Sequence, residues 1–145
     1  MRICEQMVVD APAESVYGLY ADLAAWKRVL PDVVDVEVHY MDAHRQEFSM
    51  TVERPGGLET VSGVRHLRAP HELELVQTTP PPGLAAMRGT WTFTPENGKT
   101  TVTASREFTL LDPDGDEQRF AEKLRGFLRT NLDLFRRAAE GERVH

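Results

Sequence analysis

Apolar and polar residues recur with two different periods along this chain, and the period predicts each element. The first segment, ICEQMVVD, alternates and predicts a β-strand. Pro12 then stands at a helix start, where its missing N–H costs nothing. Apolar residues follow at helical spacing: Val16, Leu19, Tyr20 and Leu23. The segment AAWKRVLPDV predicts a second short helix that ends before Pro31.

From Val33 onward the period becomes two, which indicates strands. Four segments, VVDVEVHYMD, RQEFSMTVE, LETVSGVRHLR and ELELVQTT, are separated by turn signals. AMRGTWTFTP and KTTVTASREFTL predict two more strands, joined by ENGK, whose Asn97-Gly98 suits a type I′ hairpin turn. With the first segment, the chain has seven predicted strands in antiparallel order.

A helix of some 25 residues, roughly Asp116–Glu140, is predicted to close the chain. Its apolar stripe consists of Phe120, Leu124, Phe127, Leu128, Phe135 and Ala138. A curved antiparallel sheet has one face to bury, and this helix is the only predicted element large enough to cover it. We therefore expect one α+β domain over 1–145 with a helix-grip fold, in which a seven-stranded curved sheet wraps the helix around an internal cavity.

Composition narrows the class of protein. A chain of 145 residues with 41% hydrophobic residues can bury one core. It has no apolar run of about 18 residues, and its first residues turn acidic and polar too soon for a signal peptide. The single cysteine, Cys4, excludes an internal disulfide and a multi-cysteine zinc site. We expect a cytoplasmic protein that does not enter a membrane.

Charge and motifs exclude further classes. The net charge of −6 argues against nucleic acid as a partner. Basic residues do gather on the last helix and are interpreted as a solvated face, with an acidic protein partner as the alternative. The histidines lack metal-site spacing, no glycine pair opens a phosphate loop, and no serine lies in a nucleophile elbow. We therefore expect neither a metal nor a cofactor.

Three polar residues face inward by strand or helix periodicity: Arg65, Arg106 and Asn131. Each has a structural interpretation. Arg65 could reach solvent at a sheet edge or join an ion pair, Arg106 could lie at a wet strand end, and Asn131 could bond to a strand carbonyl. Because an isolated buried charge is unfavourable, the alternative is that the arginines bind a polar ligand, such as a carbonyl or enolate oxygen.

Large apolar residues also fall on the inward faces, and two interpretations stand for them. They are either ordinary core or the wall of a cavity for a flat, extended ligand, which thioethers and aromatic rings suit. Trp26 precedes Pro31 and could lie at a cavity mouth. The other members are Phe48, Met50, Met87 and Trp91.

The segment VDAPAESVYGLYADLAAWKRVLPDVVDVEV resembles the opening of the polyketide cyclase branch of the START/Bet v 1-like superfamily. Coenzyme Q-binding carriers of the same superfamily share that opening. The blocks TVSGVRHL, PPPGLAAMRGTWTF, TASREF and RTNLDL are similar to successive blocks of bacterial type II polyketide aromatase/cyclases. The resemblance covers almost the whole chain and implies the helix-grip fold.

The resemblance also implies a set of site residues. Met87, Gly89 and Trp91 would line the cavity, with Gly89 leaving room for the substrate chain. Arg65 and Asn131 match family positions. The family's W-T-S-x-R strand reads VSGVR here, so the pocket should be more open near Gly63. Two further positions depart from the family: Arg106 stands where some members have histidine, and Phe135 where some have an acid.

The function implied is an aldol cyclisation and dehydrative aromatisation of a poly-β-ketone carried by an acyl carrier protein. Arg65 would be catalytic and bind the developing enolate or alkoxide oxygen. Tyr20, Tyr40, a bound water or the substrate's own enol would move protons. Type II polyketide synthase components would be the partners, and the protein would be a monomer or homodimer. The alternatives are a non-catalytic carrier of a quinone or lipid, and a chaperone-like subunit that stabilises a polyketide.

Overall fold

The computed structural model describes residues 1–80 and 82–141. Its elements follow in chain order: β1 (Arg2–Val9), α1 (Ala13–Ala21), α2 (Leu23–Val29), β2 (Val33–Met41), β3 (Arg45–Arg54), β4 (Gly57–Arg68), β5 (Glu72–Gln77), β6 (Leu84–Glu96), β7 (Lys99–Leu110) and α3 (Glu117–Ala139). Pro81 of the predicted proline-rich turn lies outside the described residues, as do residues 142–145 of the predicted domain.

The strands form one seven-stranded sheet in the order β1-β7-β6-β5-β4-β3-β2, and every neighbouring pair is antiparallel. The predicted sheet is therefore confirmed. Asn97 and Gly98 form the two-residue turn between β6 and β7 with positive φ angles of 52° and 79°. Both signs are those of a type I′ turn, as predicted.

The long helix α3 covers the inward face of the sheet. It packs against β1, β7 and α1, and its ends agree with the prediction to one residue. Its buried side chains are Ala121, Leu128, Leu132 and Phe135. The predicted stripe was wrong at two positions. Ala138 is exposed, and Phe127 is 40% exposed with its ring centroid 5.3 Å from the Arg54 Cζ.

Helices α1 and α2 meet at Asp22, which ends one and begins the other. The Asp22 carboxylate accepts a hydrogen bond from the N–H of Ala24 and so caps α2. The chain turns sharply here, and α2 carries Trp26 back toward the carboxyl end of α1. The Trp26 indole N–H donates to the carbonyl of Tyr20 at 2.9 Å. This junction forms one wall of the protein interior.

The register of the sheet places the two inward arginines in a single cross-strand row. Gln46 pairs with Arg65, Arg65 with Leu75, Leu75 with Gly89, and Gly89 with Arg106. The side chains of one cross-strand row lie on the same face of the sheet, so both arginines point to the same side. Neighbouring strands are about 4.8 Å apart, so the two arginines occupy separate places along the row. The periodicity that predicted both as inward is confirmed by their burial.

Candidate ligand cavity and two buried arginines

A small cavity of about 10 Å³ lies between α3, the α1–α2 junction and the inward face of β6 and β7. Its lining consists of Tyr20, Trp26, Trp91, Ala104, Arg106, Leu128, Asn131, Leu132 and Phe135. A volume of about 10–15 Å³ holds roughly one water molecule. In this state the interior is closed to any larger ligand.

Aromatic rings fill the space around the cavity. Phe135 stacks on Tyr20 with centroids 4.1 Å apart, and the Trp26 ring meets Phe135 edge-on at 5.1 Å. Trp91 completes the cluster at 5.7 Å from Trp26 and 6.2 Å from Tyr20. The four rings come from four different elements, so movement of one element would open the space between them.

Arg106 is the charged group of the cavity wall. It is 6% exposed, and its Cζ lies 4.5 Å from the centre of the Trp91 ring. Its Nη1 donates to the carbonyl of Ser105 at 2.8 Å. Within residues 1–80 and 82–141 no carboxylate forms an ion pair with it. Burial lowers the pKa of Arg106 to about 10, so the group is still a cation at neutral pH.

Gly89 lies beside Arg106 in the cross-strand row, and the arginine side chain occupies the space that a side chain at 89 would fill. A Cβ at this position would lie 2.8 Å from the Arg106 Cζ and 3.0 Å from its Cδ. The Arg106 side chain fills this space in the closed state, and the assignment of Gly89 to substrate binding stays a prediction. The missing side chain lets the Arg106 guanidinium lie flat across β6, next to Trp91.

Arg65 is buried more deeply, at 1% exposure, and it does not line the cavity. All of its nitrogens donate to protein acceptors. Nε bonds Gln46 Oε1 at 2.9 Å, Nη1 bonds the carbonyl of Tyr20 at 2.7 Å, and Nη2 bonds the carbonyl of Ala21 at 3.0 Å. Its Cζ also lies 5.4 Å from the Trp26 ring centre. Burial lowers the pKa of Arg65 to about 9, and the group remains a cation at neutral pH.

The structure brings together about half of the residues that the sequence predicted for the site: Trp26, Trp91, Arg106, Asn131 and Phe135 all line the cavity. The others face inward without lining it. Phe48 and Met50 are core residues of β3, and Met87 is half-buried against the core. Their assignment to substrate binding stays a prediction.

The opening expected near Gly63 is absent. A Cβ at this position would lie 2.9 Å from the Leu75 Cδ1 and 3.5 Å from the Phe48 Cε1. The Leu75 and Phe48 side chains therefore occupy the space that a side chain at 63 would fill, as expected of a packed core with few voids of that size.

Sequence reasoning missed Gln46, although its alternation with Phe48 and Met50 on β3 places it on the inward face. It is 2% exposed and contacts the carbonyl of Ala21 as well as Arg65. The sequence also did not identify three further cavity residues, Ala104, Leu128 and Leu132, because their small or aliphatic side chains look the same as core residues in a sequence.

The two tyrosines considered for proton transfer differ in position. Tyr20 lines the cavity, and burial raises its pKa above the usual range, so the hydroxyl is neutral and a weak base. Tyr40 lies on the edge strand β2, 47% exposed, and donates to Asp42 at 2.6 Å. That hydrogen bond raises the pKa of Tyr40. The Arg106 charge partly opposes the rise in the pKa of Tyr20, so of the two tyrosines Tyr20 is the one near the cavity cation.

Metal binding and membrane insertion are the two remaining properties that the described part of the chain allows to be checked. Residues 1–80 and 82–141 contain no cluster of histidine, cysteine and acidic side chains that could hold a metal ion. No helix within the same residues is long and apolar enough to span a bilayer.

Comparison with known proteins identifies one family. Residues 2–140 match the model of the family described as polyketide cyclase/dehydrase and lipid transport. The granaticin polyketide synthase bifunctional cyclase/dehydratase of Streptomyces violaceoruber is 28% identical over 116 residues, which are 74% of this chain and 34% of that protein. The chain spans about a third of the length of the curated relatives that it matches.

Solved structures give the same fold. The di-domain ARO/CYC BexL from the BE-7585A biosynthetic pathway superposes with a TM-score of 0.82 at 25% identity, over 100% of this chain and 51% of that one. The Zhui aromatase/cyclase from Streptomyces sp. R1128 superposes with a TM-score of 0.79 at 20% identity, over 98% of this chain and 92% of that one. The predicted helix-grip fold of the START/Bet v 1-like type is therefore confirmed.

Proposed function

Since the chain belongs to the polyketide cyclase/dehydrase and lipid transport family, we propose that it is an aromatase/cyclase of type II polyketide biosynthesis. Its substrate would be a linear poly-β-ketone presented by an acyl carrier protein. The reaction would be a regiospecific aldol cyclisation followed by dehydration to an aromatic ring. Among the relatives, the granaticin protein is a cyclase/dehydratase and BexL is an ARO/CYC protein, which supports this class of chemistry.

The observation that carries the proposal is Arg106, a buried cation without a carboxylate partner in the described chain, on the wall of a cavity. A buried charge of this kind is unfavourable unless a ligand compensates it. Enolate and alkoxide oxygens develop during an aldol reaction, and a guanidinium is suited to hold them. Loss of one such donor typically costs about 2.7–4 kcal/mol of transition-state stabilisation.

Asn131 lines the same cavity from α3 and supplies an amide that can donate to or accept from a substrate oxygen. A guanidinium stays protonated and is not a base. The proton acceptor in our proposal is therefore a bound water or the substrate's own enol. Methylenes between two ketones are acidic, so selecting one pair of carbons is the harder task. A shaped cavity achieves this by proximity and orientation.

Substrate entry requires the cavity to widen, because about 10 Å³ cannot hold a polyketide. In our proposal the rings of Trp26 and Phe135 separate when the substrate enters. Each aromatic pair contributes about 0.5–1.5 kcal/mol beyond its buried area, so substrate contacts with the same rings can replace what is lost.

The test is reconstitution with a minimal type II polyketide synthase, comparing the regiochemistry of the first ring with and without this protein. We expect wild type to shift the products toward one cyclised aromatic compound, and Arg106→Gln to lose most of that shift. Arg88→Gln is the matched control, since Arg88 is on the outward face of β6 and its side chain is 54% exposed. Arg65→Ala in the same assay tests the prediction that Arg65 is catalytic.

An unchanged product mixture in the presence of wild-type protein would contradict the proposal. If the protein nevertheless binds the polyketide, the lipid-transport part of its family becomes the better description, and the protein is a carrier. The predicted carrier-protein and synthase partners are part of this proposal and are tested by the same reconstitution, with free thioester substrate in place of the carrier-bound one.

A further inference from the structure

The carboxyl end of α1 is a buried helix end that has no cation of its own. The last carbonyls of a helix have no intrahelical donor and carry a partial negative charge. The last turn of α1 contains no basic residue. Two of its carbonyls, those of Tyr20 and Ala21, point toward β3 and β4, where they meet Arg65 and Gln46.

Four side-chain donors converge on these two carbonyls. The Tyr20 carbonyl accepts from Arg65 Nη1 at 2.7 Å and from the Trp26 indole at 2.9 Å. The Ala21 carbonyl accepts from Arg65 Nη2 at 3.0 Å and from Gln46 Nε2 at 2.8 Å. Gln46 Oε1 in turn accepts from Arg65 Nε at 2.9 Å. We call Arg65, Gln46 and the two carbonyls the α1 clamp.

The α1 clamp leaves Arg65 little to offer a ligand. Each nitrogen of its guanidinium already has a protein acceptor, and the side chain is 1% exposed. Three of its five N–H donors are used in this way, and at 1% exposure a substrate oxygen would reach the other two only if the packing around them opened. Arg65 is also absent from the cavity lining, whereas Tyr20 and Trp26, which the clamp holds, both line the cavity.

We infer that Arg65 is a positioning residue: it closes the carboxyl end of α1 and thereby fixes Tyr20 and Trp26 as one wall of the cavity. The forked guanidinium is required because two carbonyls and one amide oxygen must be held in fixed directions. Tyr20 stacks on Phe135 of α3, so the clamp also sets how closely α3 approaches. In the reaction proposed above, Arg65 would act only through this wall.

The experiment follows the Trp26 indole N–H, because it shares the Tyr20 carbonyl with Arg65. The chain has two tryptophans, so its two indole signals in a ¹⁵N NMR spectrum are assigned with Trp91→Phe. We expect Arg65→Met to raise the hydrogen-exchange rate of the Trp26 indole about tenfold or more, as local opening does. In Arg65→Met this indole exchange should be nearly independent of low urea concentrations, which marks local opening, whereas exchange of the β6 and β7 amides reports global unfolding and should rise with urea. Arg106→Gln is the matched control, and its Trp26 signal should not change.

Gln46→Leu provides a second variant in case Arg65→Met does not fold. Gln46 lies outside the cavity lining; of the two carbonyls it bonds only that of Ala21, and its Oε1 accepts from Arg65 Nε. We expect a smaller increase in Trp26 exchange, of about threefold, in the same direction. Arg65→Lys should restore part of the protection, because an ammonium group can reach one of the two carbonyls but lacks the fork.

Wild-type protection of the Trp26 indole in Arg65→Met, or in Gln46→Leu if Arg65→Met is unfolded, overturns the inference. A Trp26 exchange rate that rises with urea as steeply as that of the β6 and β7 amides also overturns it, since that reports global unfolding. The measurement uses the protein without substrate. Its outcome is therefore independent of the reconstitution, which can fail while the α1 clamp is confirmed, or succeed while the clamp is refuted.

Discussion

Arg65 and Arg106 are the same residue type in the same cross-strand row, yet their surroundings differ completely. Both are less than 10% exposed, and burial lowers the pKa of both. Arg65 donates to three protein acceptors, whereas Arg106 donates to one backbone carbonyl and otherwise lies over an aromatic ring. Burial of a guanidinium therefore does not by itself indicate a ligand site. The number of acceptors that the protein already supplies decides between the two roles.

The two regions should therefore respond oppositely to substitution. Removing Arg65 leaves Gln46 Oε1 without its donor and takes the charged donor away from two helix carbonyls, which keep only the Trp26 and Gln46 N–H groups. Unsatisfied buried groups are costly. Removing Arg106 leaves only the Ser105 carbonyl and takes an unpaired charge out of the interior. In our inference Arg65 holds the cavity wall, and in our proposal Arg106 binds the ligand.

The largest expected effect on stability comes from replacing Arg65. Arg65→Met should lower the free energy of unfolding by about 3–5 kcal/mol, because several buried acceptors lose a charged donor together. Urea denaturation followed by circular dichroism measures this change. Arg88→Met on the outward face of β6 is the control and should stay within about 0.5 kcal/mol. If Arg65→Met lowers the free energy of unfolding no more than Arg106→Met does, the two arginines do not differ in the way described above.

The next largest effect on stability comes from Gly89, which lies beside Arg106, and it tests how Arg106 is accommodated. Gly89→Ala places a Cβ 2.8 Å from the Arg106 Cζ, so the guanidinium must leave its position over Trp91. We expect a loss of about 1–3 kcal/mol, as for other overpacked sites. In an Arg106→Gln background the same change should cost much less, and a double-mutant cycle measures the difference as a coupling.

Gly18→Ala is the matched control for that experiment. Nothing lies within 4 Å of a Cβ at position 18, which is inside α1. Alanine there should stabilise the protein by about 0.5–1 kcal/mol through helix propensity. If Gly89→Ala is equally harmless, or if its cost does not depend on Arg106, then Gly89 does not make room for the arginine.

Sequence reasoning reached the fold and the orientation of both arginines, for identifiable reasons. The period of two on β4 and β7 places Arg65 and Arg106 inward, and Asn97-Gly98 fixes the register of the last hairpin. These are local signals, and each is carried by a few consecutive residues. The family blocks then pointed to Trp91 and Asn131, which the structure brings to one cavity.

The roles of the arginines could not be predicted in the same way. The acceptors of Arg65 are backbone carbonyls 44 and 45 residues earlier in the chain, and a carbonyl has no signature in the sequence. The relation of Gly89 to Arg106 depends on the pairing of β6 with β7 and on a rotamer. Phe127 was misassigned because helical periodicity predicts a wider apolar stripe on α3 than the structure buries.

The smallest expected change in stability belongs to Arg106 itself, and it gives the sharpest form of the comparison. Arg106→Met should leave the free energy of unfolding within about 1 kcal/mol of wild type or raise it, because replacing a buried charge by an apolar chain of similar length is often neutral or favourable. Thermal and urea unfolding measure this. The same variant should lose the capacity of wild type to direct ring formation, since methionine cannot donate to an oxyanion. Stability and function would then fall on different arginines of one row. If Arg106→Met instead destabilises the protein by about 3 kcal/mol or more, Arg106 has a structural role like that of Arg65. In that case the cavity contains no charged group reserved for the ligand.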